Sequence, residues 1–305
     1  MINKKNCGAA LILVLLIVAL ATSVAVFMAS RQNLWLRQVE SQFDRAQARR
    51  VGIAAIDWAR AVLAEDARTG SADHGKELWT TRLPTMPVDN GEITGVIEDR
   101  QGLFNLNNLV RNGTTSASDV AQFRRLLGIL GLSGELATAL ADWMDADSET
   151  QYPGGAEDLY YLSLPQPYRA ANRPLAELSE LLRVKGFDER AIESLRPYVA
   201  VLPAPGPINV NFAPPEVLAA VAQGMTLAEA RMLVQERDIQ PFKDVADFRQ
   251  RLPHERITMP DGSISTSSQF FLVTGRATIG RAQVSTQALL QRVGGWPSVV
   301  WQNIL

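Results

Sequence analysis

The sequence has 305 residues, of which 47% are hydrophobic, and a formal net charge of −2. This nearly neutral balance gives no indication of a polyanionic partner such as nucleic acid, and a single cysteine, Cys7, excludes an intramolecular disulfide bond. The histidines His74 and His254 stand alone among polar neighbours, and neither a nucleophile motif nor a phosphate-binding or dinucleotide-binding motif is present, so the sequence does not predict an enzyme.

The N-terminus combines a short basic segment with a long apolar one. Residues 1–8 include Lys4 and Lys5 and end in Gly8, and the next 21 residues, Ala9–Ala29, carry no charge. As a helix, this segment is roughly 31 Å long, about the thickness of the bilayer core. Lysines before the span favour a cytoplasmic N-terminus, with everything after Arg31 outside the inner membrane.

Three interpretations of this segment remain open. A cleaved secretory signal would use the A-x-A sequence at residues 19–21, although the apolar run continues past it. A plain anchor helix is the second interpretation. The third is a type IV prepilin signal, which the Lys4-Lys5…Gly8 leader resembles. In that family a prepilin peptidase cuts after the glycine and methylates the new N-terminus, which implies cleavage between Gly8 and Ala9 and methylation of Ala9.

The residues after Arg31 predict that the same helix continues. They contain no glycine or proline before Gly52. Apart from Arg50, apolar side chains recur every three or four positions, which is typical of one face of an amphipathic helix; they are Leu36, Val39, Phe43, Ala46, Ile53, Ile56 and Trp58. A membrane span that continues into such a helix resembles the stem of a pilin, whereas a signal peptide would be followed by a spacer.

One position in the apolar segment departs from the pilin pattern. Ordinary pilins and pseudopilins carry glutamate at the fifth mature position, which is Leu13 here when counted from Ala9. A carboxylate in the bilayer is costly unless it is paired, and in the family it neutralises the N-terminal amine of a neighbouring subunit. The K-type minor pseudopilin of type II secretion lacks this glutamate and sits at the filament tip. The resemblance therefore implies a tip subunit.

Three later segments predict a small antiparallel sheet. They are Glu92–Arg100, Gln269–Thr278 and Ala282–Val293, the last two joined by a turn at residues 279–281. The stem helix is expected to end near residues 69–71 and to pack on this sheet. We therefore predict an α+β fold with a pilin-like head formed by residues 30–104 and 256–305.

About 160 residues lie between the first and second of these strands, far more than a loop would need. Seven segments in this region read as helices: Asp119–Leu130, Gly134–Met144, Pro174–Leu182, Asp188–Tyr198, Pro214–Gln223, Leu227–Arg237 and Lys243–Arg251. This predicts an inserted all-helical domain over residues 105–255. A G-x-[hydrophobic]-N-[hydrophobic]-N pattern occurs at residues 102–107 and again at 206–211, which suggests two related helical subdomains.

Residues 142–158 hold six acids and no lysine or arginine: Asp142, Asp145, Asp147, Glu149, Glu157 and Asp158. The segment is either a solvated loop or one that a cation gathers. The alternation of Asp145, Asp147 and Glu149 suits a calcium loop, although Thr150 and Ala156 stand where an EF-hand needs glycine and glutamate. Oxygen ligands without histidine or cysteine favour calcium over zinc.

The same segment resembles the D-W-x-D-x-D…G-A-E-D-x-Y stretch of K-type minor pseudopilins, whose helical domain binds calcium. The resemblance implies structural calcium as the cofactor. Its candidate ligands here are Asp145, Asp147, Glu149, Glu157 and Asp158. Asp142 is interpreted as the end of a helix.

Residues 208–251 look like a helix-hairpin-helix DNA-binding module. Such modules contact phosphates through a G-x-G hairpin, but the hairpin at residues 223–226 has one glycine and no lysine nearby. We interpret it as a borrowed fold without DNA binding. The alternative is a membrane-anchored DNA-binding or DNA-uptake protein, which would bind DNA with a steep salt dependence.

With the leader, Leu13 and the acidic stretch, the resemblance to the K-type minor pseudopilin family covers nearly the whole chain. It implies a single-pass inner-membrane protein with a periplasmic head. It also implies partners: the I, J and H types of minor pseudopilin, the major pseudopilin, the prepilin peptidase and, as further candidates, the secreted proteins. The implied function is to nucleate the pseudopilus for export across the outer membrane.

Overall fold

The computed structural model describes residues 7–305, so residues 1–6 of the predicted leader lie outside the described residues. Its eight α-helices within that range are α1 (Cys7–Thr69), α2 (Ala117–Ile129), α3 (Glu135–Met144), α4 (Asp158–Leu162), α5 (Glu189–Leu195), α6 (Pro215–Val221), α7 (Leu227–Ile239) and α8 (Val245–Gln250). Three 3-10 helices cover Leu78–Thr80, Leu106–Leu109 and Leu178–Arg183.

The strands are β1 (Leu83–Val88), β2 (Gly91–Asp99), β3 (Phe104–Asn105), β4 (Val110–Arg111), β5 (Thr114–Thr115), β6 (Val199–Ala200), β7 (Ile208–Asn209), β8 (Ile264–Ser265), β9 (Phe270–Ile279), β10 (Ala282–Gln291) and β11 (Ser298–Ile304). Five of them form one antiparallel sheet in the order β1-β2-β9-β10-β11. The other six form two-stranded pairs, in which β3–β6 and β7–β8 are parallel.

Helix α1 is continuous from the apolar segment into the amphipathic one. Its first part is long and apolar enough to cross a membrane and is fully exposed within the molecule. Among the described residues it is the one helix that meets this criterion. The structure therefore matches the expected stem, including its end at Thr69.

The second half of α1 packs on one face of the sheet. Ala48 lies with Ala277 and Val284 at one end, and Leu63 lies with Phe271 and Leu290 at the other. Between them Gly52 allows a close approach, because a Cβ there would lie 2.5 Å from the Thr286 methyl carbon. The predicted α+β class, a long helix on a small antiparallel sheet with further helices, is confirmed.

Two of the five strands escaped the sequence analysis. Strand β1 carries Pro84 and Pro87 and reads as a loop, but proline is tolerated on an edge strand because no neighbour needs its missing N–H. Strand β11 is exposed on both faces, so it has no alternation of buried and exposed residues to detect. The predicted helix Pro174–Leu182 is instead the 3-10 helix Leu178–Arg183.

The repeated asparagine pattern has a structural counterpart. Asn107 donates to and accepts from the backbone of Leu175, and Asn211 does the same with Phe242. Each pattern also contains a strand of one of the two parallel pairs, β3–β6 or β7–β8. The two asparagines therefore make equivalent side-chain-to-backbone hydrogen bonds to distant segments in the two halves of the helical region.

Candidate metal centre

The acidic segment is a loop that leaves α3 and returns over it to α4. Two adjacent glycines allow this return. A Cβ on Gly155 would lie 2.2 Å from Oδ2 of Asp142, and a Cβ on Gly154, whose φ is +95°, would lie 2.4 Å from Cβ of Glu135. The Gly-Gly pair therefore brings the end of the loop against the last turn of α3.

Three of the predicted ligands come together in this loop. Asp145, Asp147 and Glu157 each offer one carboxylate oxygen, and these oxygens lie within 4.8 Å of one another. Asp145 and Glu157 are buried, and Asp147 is exposed. Oδ2 of Asp145 accepts hydrogen bonds from Oγ1 of Thr115 (2.8 Å) and Nε2 of Gln151 (3.2 Å).

Several oxygens around this group are buried without a hydrogen-bond partner. They are Oδ1 of Asp142, Oδ1 of Asp145 and Oε1 of Glu157. Oδ2 of Asp142 accepts from the N–H of Gln151 (3.0 Å), so its other oxygen is the free one. The sequence predicts Asp142 only as the end of a helix. Its complete burial at the end of α3 makes it part of the site's surroundings.

The two remaining predicted ligands lie apart from the group. Glu149 is exposed, and its N–H donates to Oδ1 of Asp147 (2.8 Å). Asp158 accepts from the N–H of Ala170 (3.0 Å) and lies 3.3 Å from Arg169, so its charge already has a partner. The structure thus groups three of the five predicted ligands.

Burial makes the charge on these carboxyls costly. It raises the pKa of Glu157 to about 7, with the negative charges of Asp142 and Asp145 adding to the effect. Burial likewise raises the pKa of Asp142 to about 6 and raises the pKa of Asp145. The nearby Lys185 donates to the carbonyl of Gly155 (3.1 Å). These residues therefore fit a hard cation with oxygen ligands, the chemistry of calcium.

The raised pKa values predict how the stability of the metal-free chain depends on pH. A carboxyl whose pKa is higher when folded stabilises the folded state at low pH, and this contribution is lost as pH rises through the folded pKa. For Glu157 and Asp142 the loss falls between about pH 4 and pH 7. We expect the melting temperature of a Glu157→Gln/Asp142→Asn variant, measured in chelator, to fall less over this range than that of the unchanged chain. Parallel pH profiles of the two proteins would contradict this.

A second acidic group lies where α1 meets the sheet. Oxygens of Asp66, Asp73 and Glu77 also lie within 4.8 Å of one another. Here the protein supplies the cation itself, because Arg292 lies 2.9 Å from Asp66 and 2.5 Å from Asp73. Asp66 and Asp73 therefore form an internal ion-pair network with Arg292, while Glu77 accepts from the N–H of His74 and the indole N–H of Trp79.

The hairpin of the DNA-binding-like segment uses several of its backbone N–H groups within the chain. The N–H of Gln223 donates to the carbonyl of Thr258, and that of Met225 donates to Ala222. The N–H of Thr226 donates to the carboxylate of Glu229 (2.8 Å), which also brings a negative charge to the hairpin. Three backbone donors of the hairpin are thus occupied by partners within the chain.

The protein has a long apolar stem helix whose second half packs on an antiparallel sheet, and a helical region with an acidic loop is inserted between two strands of that sheet. This architecture defines the class of protein: it is a pilin-like protein with an inserted helical region. Family models described as "Type II secretion system (T2SS), protein K" match residues 102–204 and 208–267.

Two relatives and one solved structure are similar over most of the chain. The Type II secretion system protein K of Pseudomonas aeruginosa is 36% identical over 95% of this chain and 90% of its own length. That of Pectobacterium carotovorum subsp. carotovorum is 33% identical over 98% and 96%. A chain in the crystal structure of the GspK-GspI-GspJ complex from the enterotoxigenic Escherichia coli Type 2 Secretion System superposes with a TM-score of 0.75 at 27% identity, covering 88% of this chain and 99% of that one.

The chain belongs to the type II secretion system protein K family. The family predicted from the leader, Leu13 and the acidic stretch is thus confirmed. Membership assigns the chain to protein transport by type II secretion, as a structural pseudopilin. Its apolar N-terminal helix fits a single-pass inner-membrane protein.

Proposed function

We propose that this chain is the minor pseudopilin at the tip of the type II pseudopilus and that it nucleates assembly with other minor pseudopilins. The I and J types are its first partners, and the H type and the major pseudopilin follow below them. The related solved chain belongs to a complex with GspI and GspJ, which supports the choice of partners. The N-terminus is cytoplasmic and the head periplasmic, in accord with the lysines before the span.

The observation that carries the proposal is the uncovered stem. Between its membrane-spanning part and the part that packs on the sheet, α1 exposes Leu36, Val39 and Phe43 at spacings of three and four residues. The side chain of Phe43 is 69% exposed. An exposed apolar stripe on a helix is typical of a surface that another helix covers. We assign that role to the stems of the partner subunits.

The bulk of the helical region supports an end position. The sheet strands come from residues 83–99 and 270–304, and a separate hydrophobic core extends from Phe104 to Ile264 between them. We propose that the domain predicted over residues 105–255 includes these flanking residues. A head of this size suits the end of a filament better than its interior.

The proposed maturation follows from the leader. Prepilin peptidase cuts between Gly8 and Ala9 and methylates Ala9, after which α1 begins at the new N-terminus. Leu13 then occupies the fifth position, so this subunit offers no carboxylate to a subunit above it. That is the property expected of the first subunit in a filament.

Calcium is the proposed cofactor, in a structural role. Asp145, Asp147 and Glu157 would hold it, with the free oxygen of Asp142 behind them. A bound divalent cation offsets the repulsion among these carboxylates and fixes the loop between α3 and α4.

The proposal is tested in a strain that lacks the chain. We expect export and co-isolation with the I- and J-type minor pseudopilins to return with the full chain. A Val39→Asp variant buries an unpaired charge between stems and should reduce both by about tenfold or more. Gln38→Asp, on the adjacent exposed polar position, is the matched control and should act as the unchanged chain. A stemless head, exported by a cleavable signal, that restores full export would overturn the proposal.

A further inference from the structure

The two edges of the five-stranded sheet differ in their capacity to accept another strand. Edge strand β1 contains Pro84 and Pro87, which lack the N–H that a neighbouring strand would need. Edge strand β11 contains no proline, and residues 293–305 include no charged side chain. Val299, Val300, Trp301 and Leu305 are all exposed along it. An uncharged, exposed edge of this kind is a template for strand pairing.

The hydrogen-bond register identifies which backbone groups of β11 are free. Ser285 and Leu305 exchange two backbone hydrogen bonds, of 3.0 and 2.8 Å. Because an antiparallel ladder alternates, Asn303 and Trp301, opposite Gln287 and Leu289, also face β10. The alternate residues Gln302 and Ile304 therefore direct their N–H and C=O groups away from the sheet. A bulge at Val300 limits this free ladder to its C-terminal side.

A second copy of the chain does not fit this edge when both stems are in one membrane. Helix α1 runs along the strands, since Ala48 packs near Val284 and Leu63 near Leu290. Antiparallel pairing of two β11 strands requires a two-fold axis perpendicular to the sheet, which reverses the direction of the second stem. Parallel pairing would need a two-fold axis that runs along the strands. Such an axis places Gln302 of one copy directly opposite Gln302 of the other, whereas the hydrogen bonds of a parallel ladder need the outward-facing residues of the two strands to be offset by one residue.

We propose that the free edge of β11, through Gln302 and Ile304, accepts an uncharged edge strand from the head of a neighbouring minor pseudopilin. The inference rests on the proposed function, because that function brings another pilin-type head beside this one with its stem in the same direction. Because the prolines of β1 prevent strand pairing at the opposite edge, a further strand can extend the sheet at β11 only. This asymmetry matches a subunit that ends an assembly.

The test compares two substitutions at one exposed position in the full-length chain, extracted in detergent and mixed with the I- and J-type minor pseudopilins of the same system. Gln302→Pro removes an outward N–H without breaking a bond to β10. It should weaken the complex by about tenfold or more, because the partner's carbonyl loses its donor. Gln302→Ala keeps the N–H and should bind within about twofold of the unchanged chain, because an exposed substitution changes the free energy by about 0.5 kcal/mol or less.

Amide hydrogen exchange provides a second readout that needs no variant. In the complex, exchange at Gln302 and Ile304 should slow by about a hundredfold or more, while in the chain alone both amides exchange freely. Three results would overturn the strand-pairing inference without affecting the proposed function. Gln302→Pro could bind as tightly as the unchanged chain, Gln302→Ala could lose as much affinity as Gln302→Pro, or the amides of residues 302 and 304 could remain unprotected in the complex. Protection that develops in the chain by itself would show self-pairing and also overturn it. Failure of the unchanged chain to form any complex would contradict the proposed function itself.

Discussion

Calcium is expected to raise the thermal stability of the metal-free chain. A ligand at one hundred times its dissociation constant stabilises the folded state by about 2.7 kcal/mol, which corresponds to a rise of about 4 °C in melting temperature for a chain of 305 residues. The physical reason is the group formed by Asp145, Asp147 and Glu157, in which one oxygen each of Asp145 and Glu157 is buried without a hydrogen-bond partner among the described residues. Calorimetry with chelator and with added calcium measures the shift.

Substituting single carboxylates by their neutral amide isosteres distinguishes a metal-binding loop from an acidic loop that binds no metal. Glu157→Gln and Asp145→Asn should abolish the calcium-induced shift, and neither should lower the melting temperature in chelator, because each removes a buried charge. Glu149→Gln is the matched control, since Glu149 is exposed and outside the group, and should keep the full shift. The account fails if calcium produces no shift, or if Glu149→Gln loses as much of it as Glu157→Gln.

Replacing Arg292 with methionine is expected to cause the largest loss of stability among single substitutions at the ion pairs. The Arg292 side chain is 9% exposed, and its guanidinium contacts Asp66 at 2.9 Å, Asp73 at 2.5 Å and the carbonyl of Ser268 at 3.1 Å. Without it two acids at the junction of α1 and the sheet lack a counter-charge. Removing one partner of a buried ion pair costs about 3–5 kcal/mol.

Urea unfolding of the full chain in detergent measures this loss. Arg196→Met is the matched control, because Arg196 pairs with Glu193 in an exposed i,i+3 contact that water screens, so its loss should change the stability little. Adding Asp66→Asn and Asp73→Asn to Arg292→Met should restore part of the lost free energy of unfolding. A loss no greater than that of Arg196→Met would show that the junction does not depend on the ion pairs.

The elements predicted from sequence are those in which one face is buried. The stem helix and strands β2, β9 and β10 carry clear periodic patterns because they pack against each other. The edge strands β1 and β11 lack a pattern because their positions follow from hydrogen bonds to β2 and β10. Helix α4, five residues long, was also missed, since it is fixed by the returning loop.

The sequence predicts which acidic residues the loop contains, but it does not predict which three of them lie close enough together to bind one cation. Spacing pointed to Asp145, Asp147 and Glu149 as neighbours. In the structure Glu157 takes the third place, because the glycines at 154 and 155 fold the loop back over α3. The pairing of Asp158 with Arg169 likewise depends on a contact across eleven residues of chain. Such tertiary contacts carry no local signal.

The account depends most directly on the stem remaining attached to the head. Mass spectrometry of the N-terminal peptide, from chain isolated with the inner membrane, measures this. We predict a mature protein that begins at a methylated Ala9, retains the whole apolar segment and contains no cysteine. A mature protein that begins at Thr22, after the A-x-A sequence, and is recovered from the soluble periplasm would contradict it.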